Sequence, residues 1–184
     1  MKGLQQSSDP FRFPEPEDVQ GPLAETLRSF RRPGAIRSRG SVDIDPVAKD
    51  LLLTGQNTID AVTQFLKEQG IIAFQIAEGG YGFSSLVLDA SDRIVRLSFG
   101  SPTLKPAVIH VLKPLVSKRV GKIHVLIAKK LDMSNITEDD VRKVQTDLGA
   151  QGYRWNDAGM DNLGRDERGD LWIIDGSVVK ASEI

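Results

Sequence analysis

Apolar residues recur at helical spacing in three stretches of this chain and at strand-like density in several others. Leu23, Leu27 and Phe30 lie along one face of a short helix over Pro22–Arg32, closed by Pro33-Gly34. Ile59, Val62, Phe65 and Leu66 repeat at the same period after Thr58, which is placed to cap them, and Gly70 stops the run. Ile71–Ile76 then reads as a strand. Beyond it, Leu88 and Arg93 flank the four-residue turn Asp89-Ala90-Ser91-Asp92, which pairs Val87 with Ile94 across a hairpin; Arg96, two residues on, faces the same side. Val108–Leu115 and Ile123–Ala128 are further strand candidates around the basic turn Ser117-Lys118-Arg119-Val120-Gly121. Thr137 with Asp140 three residues later forms a capping box, with Ile136 and Val141 at the staple positions. Val141, Val144 and Leu148 give that helix its buried stripe, and Gly149 or Gly152 ends it. Last, the polar turn Arg165–Asp170 joins a strand near Leu163 to the strand Leu171–Ile174 as a hairpin.

Composition narrows the picture. A chain of 184 residues with 40% apolar content builds one modest domain. Residues 1–56 are expected to form a head, largely disordered or with a short helix, before a folded domain over 57–184. Met1–Pro16 is rich in Ser, Pro, Gln and charge, with isolated Phe11 and Phe13, and predicts little regular structure. Arg28, Arg31, Arg32, Arg37 and Arg39 make a basic run that reads as a solvated linker or as a docking or export segment. A net charge of −1 draws the protein to neither nucleic acid nor an acidic membrane. Absence of cysteine excludes disulfides and thiolate chemistry and fits a reducing compartment. His110 and His124 stand far apart among apolar neighbours and read as ordinary strand residues rather than zinc ligands. No apolar run is long enough to span a bilayer, and the N-terminus lacks the core of a secretory signal.

Candidate chemistry concentrates in Gly152–Gly176. Asp157 and Asn162 lie five apart in a segment centred on Ala-Gly-Met-Asp, and Trp172-Ile173-Ile174 ends in Asp175. The hairpin folds the chain back so that Asp157, Asn162 and Asp175 converge at one end. Three oxygen-bearing side chains on a loop and a strand end suit a hard cation such as Mg2+, with one carboxylate left as a base. A calcium loop of the EF-hand type does not fit, since the ligand alternation, sixth-position glycine and final Glu are missing. A Ser–His–Asp hydrolase is unsupported, with no nucleophile elbow and no histidine near a candidate serine. Upstream, Gly80-x-Gly82-x-x-Ser85-x-Val87 is a glycine-rich stretch in which backbone N–H groups can approach a phosphate without a Cβ in the way.

In their order, these motifs resemble the protein-kinase-like superfamily, over roughly residues 70–178. The resemblance implies an α+β fold reduced from that family's. An antiparallel N-lobe sheet would precede a truncated C-lobe of one main helix and a catalytic-loop hairpin. It implies that Gly80, Gly82 and Ser85 cover the phosphates of ATP, that Val87 and Ile94 sandwich the base, and that Arg96 stands where a Lys usually reaches the phosphates. Lys129–Asp132 would be the hinge. Asp157 would orient or deprotonate an acceptor hydroxyl, and Asn162 and Asp175 would hold Mg2+. There are departures. Trp155-Asn156 replaces the family's His-Arg, and Gly176-Ser177 replaces Phe-Gly. Too few residues separate Leu97 from Val108 for the long helix whose Glu pairs with the phosphate-binding cation. The tail Gly176–Ile184 is too short for an activation segment and substrate platform. Minimal kinases of this kind occur among secreted bacterial effectors, which implies a protein substrate or activator and a location in the cytoplasm or, after secretion, in a host cell. The alternative is a pseudokinase or binding module that holds nucleotide or a protein without phosphotransfer.

Overall fold

The computed structural model describes residues 15–33, 44–82, 84–100 and 106–182. Backbone packing divides the chain into two compact units, one ending at Ile72 and the other beginning at Ala73. The boundary expected at 56/57 is thus drawn at Ile72, and the helix expected to open the second domain belongs to the first unit.

The first unit contains α1 (Pro22–Ser29), α2 (Pro46–Leu52) and α3 (Gln56–Glu68). The sequence reading missed α2, although Asp45-Pro46 marks its start. Asp45 caps it by accepting from the N–H groups of Val47 and Ala48 at 3.0 and 3.1 Å, and Pro46 occupies the first turn, where no N–H is needed. Leu23 and Leu27 are buried as expected, as are Ile59, Val62, Phe65 and Leu66. Thr58 does not cap α3; the cap is Gly55, and Thr58 lies inside the first turn. Much of the basic run is structural. Arg28 donates to the carbonyls of Pro16 and Val19, and Arg32 pairs with Asp45. Met1–Phe13, Arg37 and Arg39 lie outside the described residues.

The second unit begins with a five-stranded antiparallel sheet: β1 (Gln75–Tyr81), β2 (Ser85–Asp89), β3 (Arg93–Phe99), β4 (Val116–Val120) and β5 (Ile123–Lys129), ordered β1-β2-β3-β5-β4. Ile71–Phe74 is not strand; β1 instead runs through Gly79 and Gly80. Its register slips against β2, from Ile76 opposite Leu88 to Tyr81 opposite Leu86, so the glycines sit in a bulge. At the β2–β3 hairpin Asp89 pairs with Ile94 and Val87 with Arg96. The turn is tighter than expected, with Ser91 at φ 70, and the register moves by two residues. An even shift keeps the faces, so Val87, Ile94 and Arg96 still share one side of the sheet. Leu86, Leu88, Val95, Leu97, Val125 and Ile127 are buried on the other.

Val108–Leu115 is not a strand, and Ser117–Val120 is not a turn but most of β4. β4 forms the edge of the sheet, where Lys118 and Arg119 are exposed and their charge discourages further pairing. The turn is Gly121-Lys122, with Gly121 at φ 58.

Below the sheet in sequence, α4 (Glu138–Ala150) starts at the expected capping box: Thr137 Oγ1 accepts from the Asp140 N–H, and an Asp140 carboxylate oxygen accepts from the Thr137 N–H at 2.9 Å. Gly149 lies inside the helix and Gly152, at φ 79, follows its end. Short strands complete the unit: β6 (Tyr153–Trp155) pairs with β9 (Val178–Lys180), and β7 (Leu163–Arg165) with β8 (Leu171–Ile173). Val144 and Leu148 of α4 pack in one core with Val111, Trp155, Leu163, Leu171, Ile173 and Val178. Burying each large apolar side chain there is worth about 1.5–3 kcal/mol. The α+β class with an antiparallel sheet and one main helix beside a hairpin is as expected. No described helix is long and apolar enough to cross a membrane.

Candidate active site

Two strand pairs bring the chain segments around Asp157, Asn162 and Asp175 to the same place. β7 and β8 align Leu163 with Ile173, and the ladder extends one step further, where the Ile174 N–H donates to the Asn162 carbonyl at 2.8 Å. β6 and β9 align Trp155 with Val178, and the Asn156 N–H donates to the Ser177 carbonyl at 2.8 Å. Asp175 therefore lies between two anchored segments, each attached to the loop that carries Asp157. Within that loop the Asn162 side-chain amide donates to the Asp157 carbonyl at 2.9 Å and lies 3.4 Å from its carboxylate. Asp157 takes φ 62, a left-handed conformation that Asp tolerates better than most residues.

The three side chains have room to act. Asp157 and Asp175 are exposed, and Asn162 is half-buried. One carboxylate oxygen of Asp175 accepts from the Gly176 N–H at 2.8 Å, and the other takes no hydrogen bond from the described residues. The Asn162 amide is oriented by its N–H donation, which turns its carbonyl oxygen away from Asp157. That leaves two hard oxygen donors, one in the turn just before β7 and one in the loop after β8. Among the described residues no group of three His, Cys, Asp or Glu is placed to hold a metal alone. Two oxygens suit Mg2+, which keeps water and takes one or two protein ligands when phosphates supply the rest.

The second set of expected site residues sits on the five-stranded sheet. Val87, Ile94 and Arg96 are half-buried on one face, and Arg96 lies opposite Val87 and Leu126. No carboxylate pairs with Arg96 among the described residues. Gly82 and Ser85 close the β1–β2 turn, the Gly82 N–H donating to the Ser85 carbonyl at 2.9 Å. Gly80 lies earlier, in the bulge, and its need for glycine has a packing cause. A Cβ there would come within 2.9 Å of the Ala77 Cβ and of the Val87 carbonyl. Phe83, inside the same turn, is outside the described residues. Among the described residues no hydrogen bond or ion pair joins Asp157, Asn162 or Asp175 to Val87, Ile94 or Arg96.

Lys129–Asp132, the expected hinge, is tied down at several points. Lys130 bonds Asp89 at 2.7 Å, and Asp132 exchanges two backbone hydrogen bonds with Arg165 at 2.8 and 2.9 Å. Leu131 rests on Gly164, where a Cβ would approach to 2.7 Å.

His110 is not a strand residue. It takes φ 64 in the connection before β4, with one ring nitrogen 2.7 Å from the Leu171 carbonyl and the other 2.7 Å from an Asp147 carboxylate oxygen. The ring thus bridges β8 and α4. The Asp147 carboxyl is held below its ordinary range by hydrogen bonds first from Lys143 and then from His110. His124 does lie in β5; it is buried, with Nε2 2.9 Å from Ser117 Oγ. Nothing in the apolar neighbourhood of His110 signals its bridging role in the sequence.

Two open clefts border these elements. One of about 410 Å³ runs along Ala107–Lys113 beside Trp172. The other, about 340 Å³, lies between α4 (Glu138, Val141, Arg142, Gln145) and Ala158–Met160, next to Asp157. Neither is lined by Val87, Ile94, Arg96 or Asp175.

No family model and no curated protein matches the chain. Solved structures with some likeness include the bifunctional kinase-methyltransferase WbdD, at 18% identity and a TM-score of 0.43, over 60% of this chain and 34% of that one. Monomeric WbdD aligns at 17% identity and a TM-score of 0.42, over 60% of this chain and 37% of that one. The complex of WbdD with the kinase inhibitor LY294002 gives 17% and 0.40, over 61% and 34%. The chain thus spans little more than a third of those proteins, and at such scores its activity has to be argued from its own residues.

Proposed function

We propose that the second unit is a reduced protein-kinase-like phosphotransferase. It would use ATP and Mg2+ and deliver the γ-phosphoryl group to a hydroxyl acceptor, a Ser or Thr of a protein partner. The observation that carries this reading is the bracketing of Asp175 between Asn162 and the Trp155–Asn156 pair, with Asp157 in the same loop. That bracketing supports a candidate base and two candidate metal ligands acting from neighbouring segments, as in-line phosphoryl transfer requires.

In this reading the Asn162 and Asp175 oxygens hold Mg2+, which would neutralise charge on the phosphates. Asp157 orients the acceptor hydroxyl and takes its proton. Val87 and Ile94 contact the base, and Arg96 supplies a cation to the phosphates. Charge placement and orientation then account for most of the rate. The acceptor approaches beside Asp157, where the cleft between α4 and Ala158–Met160 opens. Of the possible locations, cytoplasm and a host cell reached by secretion both suit the reading.

The test is transfer of label from γ-labelled Mg-ATP by the wild type, Asp157→Ala and Asp175→Ala, with the product weighed by mass spectrometry. Transfer by the wild type that both substitutions abolish supports the proposal, and transfer that survives both eliminates it.

A second reading has its own support. Arg96 lacks a carboxylate partner among the described residues, and neither cleft lies at the Val87–Ile94 face. Both features favour a pseudokinase that binds nucleotide or a protein without transfer. A thermal shift with ATP that ignores Mg2+, together with no labelled product, selects it.

A further inference from the structure

Trp155 is buried in the core of the second unit, yet its one polar atom is directed at the site. The indole Nε1–H donates to the backbone carbonyl of Asp175 at 3.1 Å. Position 176 then passes so close to the ring that only glycine fits. A Cβ on Gly176 would lie 2.6 Å from Trp155 Nε1 and 2.5 Å from the Asn156 carbonyl, and φ there is 95. Asn156 adds two bonds to Ser177, from its N–H at 2.8 Å and from its side-chain amide at 3.1 Å. On the other side of Asp175, Ile174 is bonded to Asn162.

We propose that Trp155 is a positioning residue for Asp175. Its indole N–H and the side-chain-free Gly176 lock the metal-side carboxylate to the Asp157 loop, so that the two acidic side chains move as one body. A carbonyl anchored next to a flexible carboxylate limits where that carboxylate can reach, in the way outer partners orient a metal ligand. The site then needs no separate motion of the Asp175 segment to assemble. An activating partner would act on the acceptor or on the sheet, not on Asp175. This assignment of purpose rests on the phosphotransfer reading; the lock itself does not.

Two substitutions separate positioning from packing. Trp155→Phe keeps an aromatic ring in the core but has no N–H. Trp155→His fills the space less well but can donate. If Trp155 only packs, Phe is the better replacement in every assay. If it positions Asp175, His is the better one at the site even where its melting temperature is lower. The first readout is hydrogen exchange of the Ile173–Val178 segment. Exchange at least about tenfold faster in Trp155→Phe than in Trp155→His is expected, and equal or reversed rates overturn the lock whether or not the protein is a kinase. The second readout is Mn2+ binding in the presence of ADP. There Trp155→Phe should weaken the metal about 10–100-fold, as loss of an outer partner does, with Trp155→His between it and the wild type. A wild type that binds no metal–nucleotide sinks the functional reading and leaves the exchange result to decide the lock. A wild type that binds, with Trp155→Phe equal to it, overturns the positioning role alone.

Discussion

The side-chain amide of Asn162 donates to the backbone carbonyl of Asp157 at 2.9 Å, holding a non-glycine residue in a left-handed conformation. The bond explains why an amide rather than a carboxylate suits position 162. Only the amide can both donate inward to the carbonyl and present an oxygen outward. Asn162→Asp keeps the size and loses the donor, facing the Asp157 carbonyl with a negative charge. It should cost about 1 kcal/mol of stability and, if the proposed phosphotransfer holds, about a hundredfold in that activity, since small displacements near reacting atoms are expensive. Chemical denaturation and a labelled-ATP assay measure the two effects. A variant with full stability and full transfer would mean that Asp157 is held by something else.

Arg96 makes the opposite kind of prediction. It is half-buried on the sheet face it shares with Val87 and Ile94 and has no ion pair among the described residues. Arg96→Ala should leave stability within about 0.5 kcal/mol, since no fold-holding contact is lost. If the residue meets phosphates, the same change raises the KM for ATP roughly tenfold, equivalent to about 1.4 kcal/mol. Calorimetric titration with ADP checks it without requiring turnover. Binding unchanged in Arg96→Ala removes this residue from the site.

These two residues also mark what could be read from the sequence. Val87, Ile94 and Arg96 fell on one face although the register was two residues off, because strand faces depend only on parity. The capping box at Thr137 and Asp140 was legible for a related reason: both of its partners lie within one turn. The segments that carry Asn162 and Asp175 lie side by side because a hairpin with a short polar turn aligns Leu163 with Ile173. Contacts set by distant packing were not legible. β4 reads as a basic turn because its edge position lets charged residues alternate freely. The glycine at 80 reads as a phosphate cover, while the bulge supplies a packing cause for it that needs the β2 register. His110 and Trp155 reach partners 61 and 20 residues away, and no local pattern encodes either.

Gly164 joins the hairpin to the segment after β5. Its missing side chain lets Leu131 and Ile174 close over it, and a Cβ would stand 2.7 Å from the Leu131 Cβ and 3.0 Å from the Ile174 Cδ1. Gly164→Ala forces one of them to move, which costs about 1–3 kcal/mol in a packed site. Ile174 adjoins Asp175, so if Asp175 holds a metal as proposed, its affinity should fall with stability. Leu131→Ala in the same background relieves the contact and should recover part of the metal affinity. A Gly164→Ala protein with unchanged melting and binding would show that the hairpin can shift without consequence.

Asp140 supports α4 in two directions. It completes the capping box with Thr137, and its other oxygen meets Arg165 at 2.6 Å, tying the helix start to β7. The carboxyl is held below its ordinary value of 3.8, first by the Thr137 N–H and also by Arg165, against the opposing effect of burial. Asp147 further along the helix is lowered too, chiefly by Lys143. A carboxyl whose folded pKa lies below its unfolded value binds more protons unfolded than folded in the window between the two. Its stabilisation is therefore complete above the unfolded value and disappears as pH falls through the folded one. Stability should be insensitive to these groups from neutrality down to about pH 4 and decline below it. Asp140→Asn removes the charge while keeping a side chain that can accept from a backbone N–H. The gap in melting temperature between wild type and Asp140→Asn should be largest near neutrality and shrink toward zero as pH drops below about 3, where the wild-type carboxyl is itself protonated. A gap of constant size across that range would show that the helix start is held by shape and not by charge. The hold of α4 on the hairpin that carries Asn162 and Asp175 would then have to come from the apolar contacts of Val144 and Leu148.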